Sequence, residues 1–168
     1  MLANDWHLAR YGNPGLLIET PEPLEPTSFQ LPENGLSLVG DFSMYTYGST
    51  LSNFHIAVSL TNFISEIEAI DLNQGVRTSL NTLELEMKTR FTNIRQKEIS
   101  INGVSGIKAD VEFKRKNEDT QVVDDYKLTM LFFADKQGVR QVYVSSLWSD
   151  DSAVKVAERI IKSVVINQ

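Results

Sequence analysis

Hydrophobic and polar positions alternate along this chain with two different periods, and each change of period marks an element. From Asn53 to Thr61, Phe54, Ile56, Val58 and Leu60 alternate with His55, Ala57, Ser59 and Thr61. A period of two puts the apolar set on one face of a β-strand. With Asp41 to Tyr47 before it, this segment predicts a hairpin whose turn lies near Gly48-Ser49-Thr50. The period then changes. Leu72, Val76, Leu80, Leu83 and Met87 recur at i, i+4, i+8, i+11 and i+15, the stripe of an amphipathic helix. Asp71 stands where an N-cap carboxylate accepts from the free amides of the first turn, and Arg77, Asn81, Glu84 and Lys88 follow the polar side. The spacing predicts a helix over 71–89.

Strand patterns resume after it. Asn93 to Ile101 leads into Asn102-Gly103, a strong tight-turn signal. Ile107, Ala109, Val111 and Phe113 then alternate with Lys108, Asp110, Glu112 and Lys114. Tyr126 to Phe133 is nearly continuous in apolar residues, which predicts a strand in the middle of a sheet covered on both sides. Asp135-Lys136-Gln137-Gly138 turns the chain into a last strand, Val139 to Leu147. A second helix follows, with Ala153, Ala157, Ile160 and Val164 on one face and Asp150-Asp151 near the positive end of its dipole.

At the other end, Gly15 to Thr20 reads as a first strand, which the prolines at 21, 23 and 26 stop. Residues 1–13 are expected to form an N-terminal arm anchored by Trp6 and Tyr11, and residues 14–168 a single domain. The predicted order is strand, strand, strand, helix, four strands, helix. The fold class is α+β: a mostly antiparallel central sheet of about six to seven strands flanked by two main helices, one per face.

Composition narrows the chemistry. The 168 residues carry 16 Lys and Arg against 22 Asp and Glu, a net charge of −6. This acidity argues against nucleic acid, which needs a basic face. The absence of cysteine excludes disulfides, thiolate zinc sites and cysteine nucleophiles. No apolar run is long enough for a transmembrane helix. Met1-Leu2-Ala3-Asn4-Asp5 does not open a signal peptide, so a cytoplasmic location is expected, with the periplasm or cell envelope as the alternative if a leader precedes this sequence.

The layout resembles the PsbP/DcrB-like α/β/α sandwich. Pro14-Gly15-Leu16-Leu17-Ile18-Glu19-Thr20-Pro21 is similar to that group's opening strand. The central helix, Ile101-Asn102-Gly103 before an alternating strand, the hairpin from Tyr126 to Val144 and the closing helix match it in turn. The resemblance covers residues 14–166. It implies relatives that mostly act by binding: extrinsic photosystem II subunits, a Ran-binding import factor, envelope lipoproteins and secretion chaperones. It carries over no functional residue.

Candidate chemistry is sparse. Nucleophilic catalysis needs a base beside its nucleophile. The histidines are His7, in the arm, and His55, on the polar face of a strand, where both are expected at the surface. Asp124-Asp125 on a strand point to opposite faces, and Asp150-Asp151 are explained by capping, so no metal is expected. Lys114-Arg115-Lys116, followed by Glu118-Asp119, reads as a solvated turn. Tyr45, Tyr47 and Trp148 are the candidate binding residues, since Trp and Tyr anchor protein contacts. The expectation is a non-catalytic protein-binding, scaffold or chaperone-like module with another protein as partner, no cofactor, no nucleic acid, and weak homo-oligomerisation as a further option. The alternatives are a small hydrolase or lyase using scattered acids, and a ligand-binding envelope protein.

Overall fold

Short turns between successive strands force neighbours in sequence to become neighbours in space, and the sheet is built mainly from hairpins. In the computed structural model of the chain, the described residues are 5–28, 39–48, 53–68 and 70–166. Most of the predicted turn at Gly48-Ser49-Thr50, and the residues before Asp5, lie outside them.

The strands are His7–Gly12 (β1), Gly15–Thr20 (β2), Glu25–Thr27 (β3), Val39–Tyr47 (β4) and Phe54–Phe63 (β5). The helix Leu72–Met87 (α1) follows, then Thr92–Ile101 (β6), Val104–Lys116 (β7), Val123–Asp135 (β8) and Gly138–Leu147 (β9). The helix Asp151–Ser163 (α2) and the short strand Val165–Ile166 (β10) close the chain. Among the described residues, seven strands form one antiparallel sheet in the order β3-β4-β5-β9-β8-β7-β6, and three form a second in the order β1-β2-β10.

Both helices start as their sequence predicts. Asp71 accepts from the Gln74 amide at 3.1 Å and Asp150 from the Ala153 amide at 3.0 Å, each capping a first turn. The β6–β7 turn has both Asn102 and Gly103 at positive φ, 52° and 78°, the backbone of a tight hairpin.

Each face of the large sheet has its own core. On the α1 side, Leu128, Met130 and Phe132 of β8 meet Val76 and Leu80, with Ile107, Ala109, Val111 and Phe113 of β7 alongside. On the α2 side, Leu131 and Phe133 meet Val142, Val144, Ile160 and the second sheet's Leu16, Ile18 and Ile166. Tyr126 to Phe133 therefore lies inside the sheet, covered on both sides, with β9 as the middle strand.

Three of the strands among the described residues were not predicted. β1 is too exposed to carry an apolar period, and it is held by pairing with β2. β3 contains Pro26, tolerated because it lies at the sheet edge. β10 is two residues long and pairs with β2, far away in sequence. The expectation of a polar outer face on β5 is also corrected. Ala57 and Ser59 are buried, because that face belongs to the α1-side core.

Candidate binding surface

α2 does not cover the whole of its face of the sheet. Over β6, β7 and β8 the alternation that sends Ile107, Val111 and Leu128 to the α1 side sends Lys108, Asp110, Glu112, Lys127 and Thr129 to the α2 side. The α2 stripe packs over β9, β2 and β10 instead. The uncovered polar strip and the flank of α2 enclose a groove of about 310 Å³. Val154, Ala157 and Ile161 give it an apolar wall, while four cationic side chains (Arg95, Lys108, Lys127, Lys162) stand among three carboxylates (Asp110, Glu112, Glu158).

Trp148 sits near one end of this groove, just past β9. Its amide donates to the Asp125 carbonyl at 2.9 Å, which fixes the backbone there against β8. The indole is 42 % exposed, and the Lys127 ammonium lies 4.4 Å from its ring centre. That cation–π contact orients a large aromatic that water would otherwise leave free to rotate. Lys127 lines the groove as well, so it links groove and indole. Val122 and Val123 at the start of β8 are also exposed, and Val123 shares a shallow depression with Trp148.

The other two candidate residues lie elsewhere. Tyr45 and Tyr47 are half-buried on the α2-side face of β4 and pack on that core. The Tyr45 ring centre is 4.9 Å from that of Tyr11, and the Tyr47 ring 6.3 Å from that of Phe54. Strands β5 and β9 separate β4 from β8, so the structure does not join these tyrosines to Trp148.

On the opposite face the groups with shifted acidity are enclosed. His55, expected at the surface, is half-buried, because the face it points to is also covered. Burial, and then the positive Arg115 guanidinium, lower its pKa to about 4, so the imidazole is neutral near pH 7. Ser145 stands opposite it across the β5–β9 ladder, yet among the described residues no side-chain hydrogen bond joins them. Arg115 itself lies over the Tyr126 ring at 4.9 Å and the Phe113 ring at 5.5 Å, with Nη1 buried and without a hydrogen-bond partner. Burial pushes the Tyr143 phenol up, against the lowering effect of its hydrogen bond with Ser79.

The acidic pairs behave as structural groups. Asp125 is bound by Lys114 Nζ at 2.7 Å, and Asp150 caps α2. Among the described residues no set of three or more His, Asp or Glu is grouped to hold a metal ion, and no helix is long and apolar enough to cross a membrane. The groove is what sequence reasoning missed. Its signal was present as the Lys108, Asp110, Glu112 alternation, but the strand pattern alone could not say that this set faces the α2 side.

No protein-family model matches the chain, and no curated protein matches it by sequence. Solved structures do match it in shape. Cyanobacterial PsbP (CyanoP) from Synechocystis sp. PCC 6803 superposes with a TM-score of 0.56 at 10 % identity, over 99 % of this chain and 94 % of that one. The Ran-binding protein Mog1p of Saccharomyces cerevisiae gives 0.48 at 11 % identity, over 96 % and 95 %. LpqN of Mycobacterium tuberculosis, involved in cell envelope biogenesis, gives 0.46 at 12 %, over 98 % and 91 %. The two helices flanking an antiparallel sheet, together with the first of these matches, make the chain an α+β protein with the PsbP-like fold.

Proposed function

We propose that this chain is a non-catalytic protein-binding module whose contact surface is centred on Trp148. The observation that carries the reading is an exposed indole oriented by Lys127 beside exposed Val123, at the mouth of a groove. A rigid, part-desolvated Trp is the commonest kind of anchor in protein contacts. It gives binding area at a small entropic cost, because its orientation is already chosen.

Affinity capture from the native cell, with the wild-type chain and Trp148→Ala as baits, tests this. Any partner held through Trp148 should lose affinity by about 2 kcal/mol or more, roughly thirtyfold in Kd. Circular dichroism of the variant should be unchanged, since the indole is exposed. Retention of the same partners by both baits would count against the proposed surface. Recovery of none, together with turnover on a generic substrate panel, would favour a hydrolase or lyase instead.

A further inference from the structure

The two edges of the large sheet are finished differently. At one end β3 is three residues long and contains Pro26, which has no N–H to offer a neighbour. At the other end β6 runs for ten residues without proline and, among the described residues, pairs only with β7. Its register slips between Thr92 and Arg95 and is regular from Arg95 to Ile101. In a two-residue hairpin the pair flanking the turn, here Ile101 and Val104, exchanges both main-chain hydrogen bonds, and the pattern alternates from there. The N–H and C=O groups of Gln96, Glu98 and Ser100 therefore point away from β7. All three residues are exposed. Such a row of outward groups matches the main chain of another extended strand.

The side chains of β6 select which strand. Lys97 stands opposite Lys108 and Glu98 opposite Ile107, so β7 neutralises neither. Neither belongs to an ion pair among the described residues. Like charges directly opposite destabilise a sheet, and opposite charges stabilise it. An acid on the free side of Lys97 and a base on the free side of Glu98 meet both needs. Ile99 and Ile101 are half-buried and pack on the α2-side core, so apolar side chains beside them extend that core. A second copy of the chain does not supply this pattern. About a two-fold axis normal to the sheet, facing side chains share a face only when one residue of β6 meets its own copy. Registers centred on Arg95, Lys97 or Glu98 set that charge against itself, and the register centred on Gln96 sets Arg95 against Lys97. No other register pairs seven or more residues of β6.

We infer that the β6 edge takes an extended segment of a partner protein as an eighth, antiparallel strand, with an acid opposite Lys97, a base opposite Glu98 and apolar residues opposite Ile99 and Ile101. This surface is separate from Trp148, because β7 and β8 lie between β6 and β9, and the two readings stand or fall independently.

The probe is the end-capped, fluorescein-labelled peptide Val-Thr-Val-Lys-Glu-Thr-Thr, whose residues meet Ile101 to Arg95 in turn and whose charges cancel. Fluorescence anisotropy with the full chain should show saturable binding with a Kd below about 1 mM. Amide hydrogen exchange followed by NMR should show Gln96, Glu98 and Ser100 exchanging freely in the free chain and about tenfold or more slowly with peptide bound. Lys97 and Ile99, already bonded to β7, should hardly change. N-methylation of the peptide at the residues that meet Ser100 and Glu98 removes its facing donors. It should weaken binding about tenfold or more, with the protein itself unaltered. Lys97→Glu should weaken binding about threefold, and a peptide with Lys in place of its Glu should restore it. Trp148→Ala should bind the peptide as the wild type does. Absence of binding up to about 1 mM, equal binding by the N-methylated peptide, or protection of those three amides in the free chain overturns the inference. Indifference to Lys97→Glu, or loss of binding in Trp148→Ala, overturns it too, because the peptide is then held elsewhere. So does self-association of the chain that protects the same three amides, because the occupant is then a second copy. Failure of the peptide leaves Trp148-dependent capture untouched, so the two failures are distinguishable.

Discussion

His55 shows how a single residue acquires a property its sequence context did not predict. Its folded pKa of about 4 lies below the ordinary imidazole value of 6.5, because burial and the Arg115 guanidinium both penalise the imidazolium. Between those two values the unfolded chain binds a proton that the native chain does not. Stability is therefore fully present above about pH 6.5 and falls as pH drops toward 4. The loss attributable to this residue is on the order of 2–3 kcal/mol. His55→Gln should flatten that part of the profile, measured as the urea midpoint between about pH 7 and pH 4.5. Parallel profiles for the two proteins would show that His55 is not the titrating group. Trp148 is the converse case: its type marked it as a candidate anchor, but its value depends on Lys127, which only the folded β8–β9 register brings to it.

At the scale of elements, α1 meets the sheet through an unusually close contact. A Cβ on Gly75 would lie 2.4 Å from Cζ of Phe132, so the helix seats on β8 only because no side chain is there. Helix propensity alone predicts that Gly75→Ala stabilises α1 by about 1 kcal/mol. Overpacking a ring fixed in the core costs about 1–3 kcal/mol and should win. A lower urea midpoint is the expected result, and a higher one would mean that Phe132 moves aside freely. The helical stripes and the tight Asn102-Gly103 turn were legible in the sequence, since each depends on residues within a few positions of one another. The edge strands β3 and β10 were not, because a strand of two or three residues has no period to read and exists only through its partner.

For the whole molecule, one sheet serves two cores, and β8 contributes to both: Met130 and Phe132 on the α1 side, Leu131 and Phe133 on the α2 side. Loosening either core should then weaken the other. Leu80→Ala under α1 and Ile160→Ala under α2 should each cost about 2–5 kcal/mol and lower one common transition. Circular dichroism and tryptophan fluorescence can check this. Trp6, under the Arg159 guanidinium at 3.8 Å, reports the α2 side. Two separated transitions in either variant would mean that the faces fold independently. The sequence by itself determined the two helices, the long strands, the burial of Tyr126 to Phe133 and the absence of thiol chemistry, because periodicity and composition are local properties. Only the tertiary structure decided that β2 pairs with β10 across most of the chain, and that α2 leaves part of its sheet face open. It alone brought Lys97 opposite Lys108 and Lys127 beneath Trp148. Those outcomes depend on which strands pair and which face each helix covers, and pairing between distant segments is set by packing that no short window of sequence contains.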